Sequence, residues 1–166
     1  MVYDRPTSLA WSRRGEIAFT VYSSEPDEPN DPYGTGTERW TLRVLDPRTR
    51  RVERIRAAGA GEGEDAPAWS PDGERLGFRG RYGQIWLHDR TTGSTSRVTP
   101  GGGRRLGYGG MVWSPDGDQL LVLTRAGARG YALVSVATDG SGSERRTPWT
   151  WALDWIGADD LDWSSR

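Results

Sequence analysis

The single histidine of this 166-residue chain, His88, stands beside Asp89 in the stretch QIWLHD at 84–89. General acid–base work or metal binding would need further groups set beside it. The sequence has no G-x-S-x-G elbow, and with no cysteine it offers neither thiol chemistry nor a sulfur metal ligand. His88 is therefore read as a half-exposed strand residue. The acid pairs Glu64–Asp65 and Asp159–Asp160 fall at loop or strand starts, where carboxylates are common, and are not assigned to catalysis. The phrase SPDG occurs twice, with Asp72 and Glu74 in one copy and Asp116 and Asp118 in the other. Two carboxylates are too few for a calcium shell of six or more oxygens, so the phrase is read as a turn. The glycine-rich run TPGGGRRLGYGG, 99–110, lacks the G-K-[ST] ending of a phosphate loop. No catalytic residue, metal or cofactor is assigned.

What must position these residues is a repeat. The phrase WSPDGERLGF at 69–78 returns as WSPDGDQLLV at 113–122, with weaker echoes from Trp11 and Trp155. The four tryptophans are 58, 44 and 42 residues apart. Each repeat reads as four short strands, A to D. In the second they are APAWS, ERLGFRG, QIWLHD and STSRVT, and Asp72-Gly73 marks the A–B hairpin turn. The third repeat follows segment for segment. The first carries an acidic, Pro-rich insert, 23–38, at its B–C loop, read as exposed loop; it accounts for the longer spacing. No window shows helical periodicity. Four-stranded units at this period predict an all-β fold, a β-propeller of antiparallel blades.

The blades are placed at about 8–56, 66–99 and 110–148 within a single domain, 1–166. A partial fourth blade is placed at about 151–165, joined by the N-terminal strand 2–7, whose VYDRPT resembles the outer-strand endings SRVTP and ERRTP. A small four-bladed ring closed by that strand, a partial ring completed by a second copy of the chain, and a fragment of a larger ring are all open at this point. With its W-S-P-D-G phrase, its IWLHD strand and its TTG…RVT ending, the chain resembles the TolB-type, WD-like propeller repeats. Those repeats also occur in the propeller domains of prolyl oligopeptidase-type peptidases. TolB-type propellers usually have about six blades, more than the three and a half to four seen here.

Within a blade, the A–B and C–D turns lie on one face of the disc and the B–C and D–A loops on the other. The second face receives every long loop, and loops on a rigid scaffold carry function. Its candidate binding residues are Arg79, Arg81, Tyr82, Arg104, Arg105, Tyr108, Arg125 and Arg129. The acids Glu25, Asp27, Glu28, Asp31, Glu62, Glu64 and Asp65 oppose them. Arginine and tyrosine suit protein interfaces and small anionic ligands. Trp149 and Trp151 would flank the fourth strand A near the channel mouth, where Trp151 could stack on an aromatic ligand.

A net charge of −1 gives no push towards nucleic acid or membrane, and no segment is apolar for the ~18 residues of a span. All 22 basic residues are arginine, which a GC-rich bacterial genome explains. The N-terminus MVYDRPTSLAW does not read as a signal peptide, so a cytoplasmic location is the expectation. The functional expectation is a non-catalytic scaffold binding a protein partner, or a second copy of itself, through the loop-rich face. The alternative is a small-molecule binder or cyclase/isomerase-type enzyme with its pocket at the channel mouth.

Overall fold

A computed structural model describes residues 3–25, 37–56, 63–80, 83–99, 110–125, 131–142 and 145–148. Twelve strands are found among them and no helix. The first blade holds β1 (Tyr3–Trp11), β2 (Ile17–Glu25), β3 (Thr37–Asp46) and β4 (Arg51–Arg54). The second holds β5 (Asp65–Trp69), β6 (Arg75–Arg79), β7 (Ile85–Asp89) and β8 (Thr95–Arg97). The third holds β9 (Met111–Trp113), β10 (Gln119–Arg125), β11 (Tyr131–Ala137) and β12 (Arg145–Pro148). Each blade is an antiparallel sheet in simple meander order.

The repeated phrase builds the same turn twice. Ser70 Oγ donates to Asp72 Oδ1 at 2.5 Å and accepts from the Arg75 amide at 2.8 Å, while the Glu74 amide donates to Asp72 Oδ1 at 2.9 Å. Ser114, Asp116, Gln119 and Asp118 repeat these bonds in the third blade. Gly73 and Gly117 take φ of 74° and 79°, the left-handed region open to glycine. The carboxylates of Asp72 and Asp116 are held below their ordinary range, first by the serine hydroxyls. They are turn acceptors.

The C–D turns share a second device. Asp89 Oδ1 accepts from the amides of Thr91 and Thr92 and from the Thr91 hydroxyl, which lowers its pKa to about 2. Asp46 caps the first blade's turn in the same way, through the Arg48 amide. Four residues after that aspartate the second blade has Gly93 at φ 71°, but the first has Arg50 at φ 58°. A left-handed arginine carries strain that glycine does not. Arg50→Gly should therefore raise stability, by up to about 1 kcal/mol once the extra freedom of the unfolded chain is subtracted, as chemical denaturation would report.

Two apolar layers lie between the blades. Ala18, Leu42, Val44 and Ile55 of the first blade meet Leu76, Phe78 and Trp86 of the second. Ile85, Leu87 and Val98 of the second meet Trp113, Leu120, Val122, Val134 and Val136 of the third. Because side chains alternate along a strand, a middle blade buries both faces, one on each neighbour. That is why the strand IWLHD is apolar almost throughout.

Three expectations need correction. The first is the N-terminal segment 2–7 as an outer strand finishing the last blade. Instead Tyr3–Pro6 pair with Val21–Ser24, because β2 runs on to Glu25 and offers them an edge. The insert expected over 23–38 gives up both ends to the same hairpin: β2 reaches Glu25, β3 begins at Thr37, and Tyr22 packs on Trp40 at 4.9 Å between rings. His88, expected half-exposed, is buried at 5% exposure, since the first blade covers its side of the sheet. The partial fourth blade lies outside the described residues.

Candidate functional site

Register partners in adjacent strands share one face of a sheet, so each blade can be read as rows running across it. In the second blade one row is Trp69, Leu76, His88 and Thr95, and the next carries Phe78, Trp86 and Arg97. These rows face back towards the first blade, and Trp69 Nε1 donates to the carbonyl of Ala10 at 3.2 Å. In the third blade the matching row is Trp113, Leu120 and Val136. Trp113 Nε1 donates to the carbonyl of Ala68 at 2.8 Å. The rule holds in the second and third blades: the strand-A tryptophan bonds the preceding blade's carbonyl just before that blade's own tryptophan.

The matching row of the first blade is Trp11, Ile17, Leu45 and Val52. The next is Leu9, Phe19, Arg43 and Arg54. No described residue covers these rows. Trp11 and Leu9 are each 68% exposed and Val52 is 49% exposed, while Ile17, Phe19 and Leu45 are half-buried. Their counterparts Leu76, Phe78, Leu120 and Val122 are at most 1% exposed. The candidate site is this open blade face, an apolar row four strands wide bordered by two arginines. A contiguous exposed apolar patch of this kind marks an interaction surface.

The turn face joins the blades by charge. Arg90 of the second blade donates to Glu16 Oε1 at 2.6 Å and to Glu53 Oε2 at 2.9 Å, both in the first blade. Arg14 pairs with Glu74, again across blades. Arg75 donates to the Gly117 carbonyl at 2.8 Å, reaches Thr138, and lies over the Trp113 ring at 5.0 Å. These arginines had no signal in the sequence beyond their position in strand and turn, because each partner lies about one repeat or more away.

His88 sits beside this network. Its Nδ1 bonds the Thr95 hydroxyl at 2.9 Å and its buried Nε2 has no hydrogen-bond partner. Burial, then Arg90, lowers its pKa from the ordinary 6.5, opposed by Glu53, Asp89 and Glu16. The native state thus resists the proton that the unfolded chain accepts. Stability contributed by the neutral ring is complete above about pH 6.5 and is lost as pH falls through the depressed native value. The row equivalents of His88 are Leu45 and Val136. His88→Leu should therefore flatten the decline in melting temperature between about pH 6.5 and pH 5. Melting curves of both proteins across that window check it.

Of the loop-face residues, Arg79 is placed fully. It forms a two-pronged pair with Asp65, 2.8 Å from Nε to Oδ1 and 2.6 Å from Nη2 to Oδ2. The two are direct partners of strands A and B, so this pair joins the strands of one blade. Glu64, one of the acids set against these residues, is buried at 3% exposure. The backbone of Arg125 ends β10. Arg81, Tyr82, Arg104, Arg105, Tyr108, Arg129 and Trp151 lie outside the described residues, as does Trp149. No group of three or more metal-ligating side chains occurs among the described residues.

No family model matches the sequence. Among solved structures the chain is similar to the β-propeller domain of the Trilobed protease from Pyrococcus furiosus, with TM-score 0.60 and 16% identity over 88% of this chain and 43% of that one. It is similar to the acylaminoacyl peptidase of Pyrococcus horikoshii, with TM-score 0.63 and 16% identity over 88% of this chain and 25% of that one. It is also similar to TolB from Acinetobacter baumannii, with TM-score 0.51 and 19% identity over 86% of this chain and 43% of that one. At such identity the likeness speaks for fold and not for activity. The chain is folded as consecutive blades of a β-propeller, and it spans under half the length of each of these proteins.

Proposed function

We propose that this chain is a protein-interaction module, a propeller scaffold whose open first-blade face seats a protein partner. The observation that carries this reading is the contrast within one repeated row. Trp69 and Trp113 are docked on a preceding blade, whereas Trp11, at the same position, is 68% exposed with Leu9 and Val52 beside it. Leaving such a row in water is unfavourable by about 25 cal/mol for each Å² of apolar surface, so covering it is a driving force for association. The ordered turn face supports the scaffold half of the reading, since its arginines are engaged between blades.

The loop-rich face stands as a second contact region on its sequence alone. Its one fully placed arginine, Arg79, is held by Asp65.

The test is site-specific photo-crosslinking in the native cells. A benzophenone amino acid at position 11 should give a discrete protein adduct, and the same probe at Thr49, in the exposed C–D turn, should not. Equal labelling from both positions, or none from position 11, sinks the reading.

A further inference from the structure

We infer that the partner on the open face is a second copy of this chain, docked head to tail so that its third blade precedes the first. This rests on the interaction reading above and adds the identity of the partner. The chain already contains the required joint twice. Each time, a backward row led by tryptophan meets the forward face of another blade, and the indole N–H bonds a strand-A carbonyl of that face. The third blade presents a forward face of the same construction. Its row runs through Val112, Leu121 and Ser135, and Val112 occupies the position of Ala10 and Ala68. Leu121 and Ser135 are half-buried, where the corresponding Ala18, Val44 and Leu87 of the inner joints are at most 6% exposed.

Trp11 of one copy would thus donate to the Val112 carbonyl of the other, continuing the array across two chains. A joint between unlike faces can close only as a ring; otherwise it grows into a filament. Blades already wind about an axis, and one chain spans 43% of the Trilobed protease propeller domain, so two copies approach one ring of that size. Head-to-tail pairing also differs from simple apolar stacking of two open faces. It uses two different faces, the backward one of the first blade and the forward one of the third, so each can be blocked separately.

The experiment is sedimentation of the full chain from about 1 μM to about 100 μM, a range that spans weak specific association. The wild-type chain should sediment as a dimer at the upper end. Trp11→Glu, which blocks the backward face, and Leu121→Glu, which blocks the forward face, should each leave a monomer with the strand signature intact in circular dichroism. If Leu121→Glu does not fold, Ser135→Arg adds bulk to the same row without removing apolar surface. Mixing one blocked chain of each kind should restore a dimer, since one good joint remains.

A dimer that survives Trp11→Glu overturns the proposal. So does a dimer that Trp11→Glu abolishes but that both forward-face variants leave intact, which would mean two open faces stacked on each other. A wild-type monomer throughout also overturns it, and an apolar dye then separates the two failures. Dye binding that Trp11→Glu removes would mean an open face awaiting a different protein, so the interaction reading survives. No dye binding would mean that the face is covered within the chain itself, and both readings fall.

Discussion

Trp113→Ala should lower the unfolding free energy by about 3–5 kcal/mol, the usual cost of emptying a large buried aromatic site. Trp113 is 5% exposed. Its ring lies in the layer with Leu87 and Val98, its N–H bonds the Ala68 carbonyl, and Arg75 covers its face. Trp113→Phe should cost less, about 1–2 kcal/mol, because it keeps most of the ring while removing the donor to Ala68. At the same place in the repeat, Trp11→Ala should change stability by under about 1 kcal/mol in dilute solution, since little of its surface is removed from water. Denaturant unfolding of the three variants, at a concentration below any association, checks the set. Equal losses at positions 11 and 113 would show that Trp11 is covered after all.

Arg90→Met should cost about 2 kcal/mol. Exposed ion pairs contribute under about 1 kcal/mol, while removing one partner of a fully buried pair costs about 3–5 kcal/mol. Arg90 and Glu16 lie between those limits, with side chains 20% and 16% exposed. The loss has a second component, because Glu16 and Glu53 are then left near each other with no cation between them. Glu53 is 53% exposed, so its share should fade with added salt while the Glu16 share persists. Glu53 is held below its ordinary pKa of 4.5, first by the Arg90 hydrogen bond. Its contribution is therefore present above about pH 4.5 and lost as pH falls through the lowered native value. A double-mutant cycle with Glu16→Gln isolates the buried half. A coupling near zero would show that this pair adds nothing to the joint between the first two blades.

The legible part of this molecule is local. Trp-Ser-Pro-Asp-Gly dictates its turn from within, because Ser70, Asp72 and the left-handed Gly73 satisfy one another without help from elsewhere. Strand positions followed from the same phrase, and the period between its copies gave the blade. The corrections came where local sequence meets a distant neighbour. His88 looked half-exposed because nothing in QIWLHD reports the first blade packed on it. The pairing of Arg79 with Asp65, 14 residues away, was not legible because it forms only when strands A and B pair. Segment 2–7 resembled an outer strand by its ending, yet the long edge of β2 was nearer.

The tryptophans make the division plain. Trp11, Trp69 and Trp113 open near-identical phrases, and the sequence determined that each would sit at the end of a strand A, before a tight turn. Which of them would be buried was decided only by tertiary structure, because burial depends on what lies against the sheet. Trp69 and Trp113 have a blade before them, and Trp11 has none among the described residues. A repeat encodes its own fold but not what lies against it, and among the described residues that neighbour decides which tryptophan is covered.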